Sequence, residues 1–286
     1  MDRGGRDREN PQIDCLSTVM DASPEPVADD APPDQQATDT HVAIPQYSVL
    51  TILGVWSAAA VPMAVLAWIV APALARALSG PQPYTRALLI CLTIGLIWQF
   101  ALVVLLLWRE QGTLRWRVVR PALWLDPPRS PTTGRVGGRL WLLVIPLIVA
   151  FGAEEMIPLP SHAASRDLGM FLESQAGITF LRGAWGWYAM ILVLLIFNTI
   201  LGEELLFRGF LLPRMNGAFG RGDWVANGVL FAAYHLHTPW VMPAAIFDTL
   251  ILSYPSKRYR SAWFGIIVHS AQSVLIAAVV LFLVLG

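Results

Sequence analysis

Long apolar runs restrict what this chain can fold into more than any other feature of its sequence. The runs from Val49 to about Leu74 and from about Ala87 to Trp108 each hold the roughly 20 helical residues that cross a hydrocarbon layer about 30 Å thick. Hydrophobic residues make up 55% of the 286 residues and charged residues 14%, which is more apolar surface than a soluble chain of this length buries. The sequence therefore predicts an all-α, polytopic transmembrane helical bundle.

The hydropathy pattern predicts about seven helices. In chain order they cover about 49–74, 87–108, 140–153, 185–212, 224–237, 241–252 and 262–286. An eighth, interfacial or re-entrant piece within residues 161–180 is the open alternative. Residues 1–47 are rich in Asp, Pro, Ala, Gln and Thr, which predicts a disordered tail. The rest divides into N-terminal transmembrane helices and loops, residues 48–184, and a C-terminal transmembrane core, residues 185–286.

The distribution of arginines predicts the orientation of the bundle, because Lys and Arg near helix ends stay on the cytoplasmic side. The loop between the second and third helices contains Arg109, Arg115, Arg117, Arg120, Arg129, Arg135 and Arg139. The segment from Glu154 to Glu173 is net acidic and is predicted to lie outside. We therefore expect a multi-pass protein of the cell (inner) membrane with a cytoplasmic N-terminus. The formal net charge of zero gives no reason to expect a nucleic-acid partner.

Three charged residues interrupt the apolar fourth helix: Glu203, Glu204 and Arg208. Each charge inside a membrane helix costs about 2.5–3.5 kcal/mol on insertion scales and usually marks a functional site. Residues four apart lie on one helix face, whereas neighbours diverge by about 100°, so Glu204 can pair with Arg208 while Glu203 points elsewhere. Glu203 is then the better candidate for handling protons. The alternative, in which both glutamates only lock Arg208 to a neighbouring helix, stays open.

Two further helices each present a polar face. Phe231 and His235 are four residues apart on the fifth helix, as are His269 and Ser273 on the seventh. At 1.5 Å per residue, Glu203, His235 and His269 lie about 10 to 17 Å from the cytoplasmic ends of their helices. The sequence therefore predicts that these three side chains meet at one level, in a cavity that opens inward.

Other polar residues receive structural interpretations. Glu154 and Glu155 form a second glutamate pair, but no arginine follows four residues later, which predicts a solvated helix end. His237 precedes Thr238 and Pro239 at a helix terminus and is predicted to be interfacial. Asp248 is interpreted as a residue that hydrogen-bonds between helices, with a supporting role near the site left open.

A carboxylate and a histidine that share one water molecule supply a general base, and a second histidine with a polar neighbour can stabilise an oxyanion. This combination suits peptide-bond hydrolysis. The sequence has no H-E-x-x-H pair, no glycine-flanked serine of catalytic type and no pair of intramembrane aspartates. The only cysteines, Cys15 and Cys91, favour neither a disulfide framework nor a cysteine metal site.

These residues resemble the motifs of the CPBP family of intramembrane proteases, the CAAX prenyl endopeptidase and bacteriocin-processing (Abi) group. The family's E-E-x-x-x-R motif is similar to residues 203–208, and its F-x-x-x-H motif to residues 231–235. Its third motif, a histidine followed four residues later by asparagine, is matched at His269, but Ser273 stands where asparagine is usual. The resemblance covers about residues 185–281 and implies a helical bundle with its site inside the membrane.

The resemblance also implies a role for each motif residue. Glu203 and His235 would activate water, the second glutamate and the arginine would fix the geometry, and His269 would hold the oxyanion. Because a serine hydroxyl is shorter than an asparagine amide, Gln272 or an ordered water is the alternative to Ser273 as an oxyanion donor. The candidate catalytic residues are Glu203, Glu204, Arg208, His235, His269 and Ser273.

The family has been discussed as metal-dependent, and a glutamate with two histidines suits zinc, but no regular ligand spacing is present, so we expect no cofactor.

The leading hypothesis is a glutamate-type endopeptidase that acts on a membrane-associated or lipid-linked peptide. The alternatives are a non-catalytic membrane scaffold or immunity protein, and a proton-relay transporter, for which we find no internal repeat. The arginine-rich composition suggests a bacterium, so leader peptides and anchored precursors are candidate substrates beside prenylated ones. Membrane lipid is the other expected partner, and the oligomeric state is open.

Overall fold

A computed structural model describes residues 43–154, 156–160 and 162–286. The predicted disordered tail therefore lies outside the described residues up to residue 42. The described residues are largely helical and contain no β-strand, since the backbone pairing of Arg129 with Val136 is an isolated bridge. The predicted all-α bundle is confirmed. The division of the bundle at residue 184 stays a prediction.

The α-helices of the described residues differ widely in length. In order they are α1 (Val49–Ala77), α2 (Pro83–Gln111), α3 (Trp116–Ala122), α4 (Val144–Glu154), α5 (Leu168–Glu173), α6 (Gln175–Leu181), α7 (Trp185–Arg214), α8 (Asn216–Phe219), α9 (Asp223–Tyr234), α10 (Met242–Ala245), α11 (Tyr254–Tyr259) and α12 (Trp263–Leu285). Among the described residues, α1, α2, α7 and α12 are long and apolar enough to cross a membrane. The helices α4 and α9 have 11 and 12 residues, and at about 1.5 Å per residue neither crosses a bilayer alone.

The remaining predicted segments are broken into short pieces. Within residues 161–180, where the sequence left an extra element open, the chain forms α5 and α6. The predicted sixth helix, residues 241–252, contains α10 and most of the π-helical turn Thr249–Ser253, and α11 follows it. A 3-10 turn over Gly138–Leu143 leads into α4. Proline at the start of α10 and again at the start of α11 is consistent with these breaks, because proline lacks the N–H that continues a helix.

Two π-helical turns flank Glu203 and Glu204 within α7. They cover Phe197–Gly202 and Leu205–Leu211. A Cβ on Gly202 would overlap the carbonyl oxygen of Phe197, so this wide turn depends on glycine. Turns of this type rotate the following side chains relative to a regular helix and are frequent at functional sites. They set which face of α7 each glutamate occupies.

One end of the bundle, which we call the arginine-rich end, is defined by Tyr47, Glu110, Arg214 and the loop over residues 112–137. The Tyr47 N–H donates to the Arg214 carbonyl at 2.9 Å, and Arg214 Nη2 lies 2.6 Å from Glu110 Oε2. Tyr47 was assigned to the predicted tail, but its hydroxyl donates to Glu110, and burial raises the pKa of that hydroxyl well above its usual value. Tyr47 thus contacts the bundle, and the boundary of the tail stays a prediction. At the opposite end, Gly183 N–H donates to Val284 at 2.9 Å.

Candidate active site

The second glutamate of the pair lies in a buried ion pair. Glu204 Oε1 is 2.8 Å from Arg208 Nη1, and both side chains are fully buried. On α9, the centroid of the Phe231 ring lies 3.9 Å from the Arg208 guanidinium carbon, a cation–π contact. From α12, His269 Nδ1 lies 3.0 Å from the same glutamate oxygen. The predicted pairing of Glu204 with Arg208 is confirmed, and Glu204 also joins α7 to α12.

Gly265 allows α12 to approach this ion pair. A Cβ at position 265 would overlap Glu204 Oε2 and lie 3.2 Å from Arg208 Cγ. Gly265 is four residues before His269 and therefore lies on the same face of the helix. The absence of a side chain at one position thus lets the histidine at the other reach Glu204.

The first glutamate, Glu203, has a different environment. It is 2% exposed and lines a cavity of about 360 Å³ together with His235 and His269. Its carboxylate accepts a hydrogen bond from the Tyr234 side chain, whose hydroxyl in turn accepts one from Gln99. The predicted meeting of Glu203, His235 and His269 is confirmed.

His235 follows the last residue of α9 and has a defined proton position. Its Nδ1 lies 3.0 Å from the Phe231 carbonyl oxygen, which can only accept a hydrogen bond. Nδ1 therefore carries the proton, and the lone pair of the neutral ring is on Nε2. Because the F-x-x-x-H spacing places the histidine one turn after the phenylalanine, the motif itself supplies this carbonyl.

His237 lies on the cavity wall just beyond the end of α9, and its predicted interfacial position stays a prediction. Its ring stacks on His235 with 5.5 Å between centroids, and both residues line the cavity. The α-helix ends at Tyr234, and the tighter 3-10 turn His235–His237 brings the second histidine back over the cavity.

Glu154 and Asp248 are site residues that the motifs do not reveal. Their side chains hydrogen-bond each other, and both line the same cavity. Glu154 is the last residue of α4, as the predicted helix end requires, and its side chain lines the cavity, whereas Glu155 lies outside the described residues. Phe151 packs with Leu252 and Val268, and Glu154 is three residues later on the same face of α4, which turns it inward. That helical spacing is the signal that sequence reasoning missed.

The polar residue of the third motif lies outside this cavity. Ser273 is buried but is not among the residues that line the cavity, whereas the preceding residue, Gln272, is. Thus Gln272, the alternative donor considered from the sequence, is the one that reaches the cavity wall. Asn198 of α7 lines it as well.

The cavity extends away from the arginine-rich end. Its walls include Leu88, Leu89 and Leu92 in the first half of α2, and Leu194 and Asn198 in α7. All of these positions are farther from the arginine-rich end than Glu203 is. Relative to Glu203, this part of the cavity thus lies on the side away from the arginine-rich end, and its opening toward the cytoplasm stays a prediction. Because α9 stops at Tyr234, turns replace the helix beyond that residue and leave space on the opposite side.

One family comparison agrees with this geometry. The model of the family described as Type II CAAX prenyl endopeptidase Rce1-like matches residues 184–275, a segment that contains all three motifs. The resemblance to CAAX endopeptidases is confirmed. At the level of the family it supports a CAAX-type intramembrane protease, with a lipid environment and a peptide substrate, and the four long apolar helices support a multi-pass membrane protein. Searches of curated proteins and of solved structures gave no significant match.

The segment before α5 borders the same cavity. Asp167 Oδ2 lies 3.0 Å from His162 Nε2 and accepts a hydrogen bond from Trp240 Nε1 at 3.2 Å. The guanidinium of Arg166 lies 3.5 Å from the Trp68 ring centroid. Arg166 and Asp167 also line the cavity, so these contacts tie its rim to α1 and to the turn after α9. No motif in the sequence marks them.

The residues of the site do not form a metal-binding group. Within the part of the chain that the structure describes, no three His, Cys, Asp or Glu side chains are arranged to hold a metal ion. The three residues considered for zinc, Glu203, His235 and His269, share a cavity, but His269 Nδ1 contacts Glu204 and His235 Nδ1 contacts the Phe231 carbonyl. We therefore derive no catalytic step through a metal.

Proposed function

We propose that the chain is a glutamate-type intramembrane endopeptidase that hydrolyses a peptide bond in a membrane-associated or lipid-linked substrate. One observation carries this proposal: Glu203 and His235 line the same cavity, whereas Glu204 is held in a buried ion pair. The match of residues 184–275 to the Rce1-like family supports the protease class.

In this mechanism, water binds between the Glu203 carboxylate and His235 Nε2. The Phe231 carbonyl holds the proton on Nδ1, so Nε2 can accept a proton from the water as its oxygen attacks the substrate carbonyl. Tyr234 orients Glu203 through a hydrogen bond and leaves the rest of its carboxylate for the water. The carboxylate and the imidazole together remove one proton and position one oxygen.

The oxyanion that forms on the substrate needs N–H donors. His269 is oriented through Nδ1 by Glu204 and, when both ring nitrogens are protonated, can donate through Nε2. The amides of Gln272 and Asn198 supply further N–H groups on the same cavity wall. We assign the second oxyanion donor to Gln272, because Ser273 does not line the cavity.

The substrate class follows from the walls of the cavity. Leucines of α2 and α7 line the part that extends from the catalytic residues, which suits an apolar segment or a lipid chain attached to the peptide. The Rce1-like family name points to prenylated C-termini, and lipid-anchored precursors share the same chemistry. With the cytoplasmic N-terminus that the arginine distribution predicts, the cavity would extend toward the external leaflet.

Replacement of Glu203 tests the proposal. Glu203→Gln keeps the shape of the side chain but removes the base, so cleavage of a prenylated C-terminal peptide in detergent should fall by about 10²- to 10⁴-fold. Glu173→Gln, an exposed carboxylate outside the cavity, is the matched control and should cleave normally. Undiminished cleavage by the Glu203→Gln variant would contradict the proposal. Cleavage that persists with a zinc chelator would support the metal-free mechanism.

A further inference from the structure

Glu154 and Asp248 form a carboxyl pair outside the three motifs. Asp248 is 4% exposed, and no N–H or O–H group of the described residues donates to its buried Oδ1. Its side-chain hydrogen bond is with the Glu154 carboxyl group. An ionised carboxylate only accepts hydrogen bonds, so a bond between two carboxyl groups requires that one of them is protonated. The geometry of this pair therefore holds a proton.

The pair faces the same cavity as the water-activating residues. Glu154 comes from the last residue of α4, and Asp248 directly precedes the π-helical turn Thr249–Ser253. Both line the cavity together with Glu203 and His235, and Asp248 lies within electrostatic range of Arg208. The helix α4 and the segment at Asp248 contribute no residue to the Glu203–His235 pair, but together they place a shared proton at the cavity wall.

Peptide hydrolysis needs a proton donor as well as a base. The amine leaves readily only if its nitrogen is protonated as the C–N bond breaks, and a positioned acid typically contributes about 10²- to 10⁴-fold to the rate. The protonated Glu203–His235 pair can return its proton to the nitrogen, or an acid elsewhere on the cavity wall can supply one directly. Acid and base groups with separate environments in one site are one solution to this requirement.

We propose that the Glu154–Asp248 pair is the proton donor for the leaving amine, an inference that rests on the proposed endopeptidase function. Water oxygen bonds to the carbonyl carbon, and its proton passes to the Glu203–His235 pair. When the C–N bond breaks, the nitrogen takes the bonding electrons and the proton that Glu154 and Asp248 shared. The proton held by Glu203 and His235 then returns to the carboxyl pair through cavity water, so that one water is consumed.

Leaving-group chemistry tests this assignment. Glu154→Gln removes the transferable proton, while its amide can still donate to Asp248 and maintain the contact. Cleavage of an amide substrate should fall by about 10²-fold. Hydrolysis of the p-nitrophenyl ester of the same acyl segment should fall less than about threefold, because nitrophenolate leaves without a proton. Asp248→Asn should show the same split, and Glu173→Gln should change neither reaction.

Two results would overturn the assignment: full amide cleavage by Glu154→Gln, or an equal loss on amide and ester. If both variants fail to fold, the wild-type enzyme decides the question with a series of anilide substrates. A shallow dependence of rate on amine basicity supports a proton donor, and a steep one overturns it. The Glu203→Gln result is read separately, because loss of the base should impair amide and ester alike.

Discussion

Two neighbouring regions of this molecule each contain a glutamate, and the environments of the two glutamates differ. The ion-pair layer, made of Glu204, Arg208, His269 and Gly265, is closely packed, and Glu204 Oε1 contacts both a cation and an imidazole. The cavity wall, which contains Glu203, borders empty space, and its carboxylate contacts Tyr234. Adjacent glutamates on one helix thus differ in their surroundings, since Glu204 is held in an ion pair and Glu203 lines a cavity.

This difference distinguishes a glutamate that stabilises the fold from a glutamate that is a candidate for catalysis. A charge in the apolar interior is tolerated only when a partner compensates for its lost hydration, as Arg208 does for Glu204. A carboxylate that faces a cavity can instead be solvated by water, and the same water is then a reactant. The ion-pair layer fixes the helices, and the cavity wall is left to react.

The largest effect that would test this comparison comes from neutralising Glu204. Glu204→Gln leaves Arg208 as a buried charge without its counter-ion, which should cost about 3–5 kcal/mol of folding stability. Glu203→Gln should cost less than about 1.5 kcal/mol, because it alters one hydrogen bond beside a cavity. Denaturant titration in detergent measures the loss of folding stability in each variant. Equal losses in the two variants would contradict the separation into two regions.

An intermediate effect would sharpen the description of the cavity wall. Gln272→Ala removes a proposed oxyanion donor and should lower kcat by about 10²-fold. Ser273→Ala, one residue further along α12, should lower kcat less than about twofold, because Ser273 does not line the cavity. Single-turnover cleavage assays compare the two. The reverse order would return the oxyanion role to the position where the family usually has asparagine.

The smallest effect concerns the approach of α12 to the ion-pair layer. Gly265→Ala adds a Cβ that overlaps Glu204 Oε2, so the helix must shift, and overpacking of this kind costs about 1–3 kcal/mol. Gly54→Ala is the matched control, since nothing lies within 4 Å of its added Cβ. It should be neutral or slightly stabilising. Thermal unfolding in detergent that finds no difference between the two variants would show that the close approach is not required.

Particular residues show how far the sequence leads. The helical spacing of Glu204 and Arg208 predicts their ion pair because both belong to one helix, where backbone geometry fixes the distance. The contact of His269 with Glu204 depends on how α12 docks at Gly265, so local spacing gives no sign of it. Local spacing likewise gives no sign of the contact between Glu154 and Asp248, since the two residues are far apart in the chain.

The sequence by itself determined the apolar helices, the three motifs and the pairing of Glu204 with Arg208, because hydropathy and helical periodicity are local properties of the chain. Only the tertiary structure decided which end the cavity faces, that Gln272 lines it in place of Ser273, and that Glu154 meets Asp248. These features arise where helices stop and where separate helices pack together. The end of α9 at Tyr234 and the missing side chain at Gly265 act through neighbours that are distant in sequence.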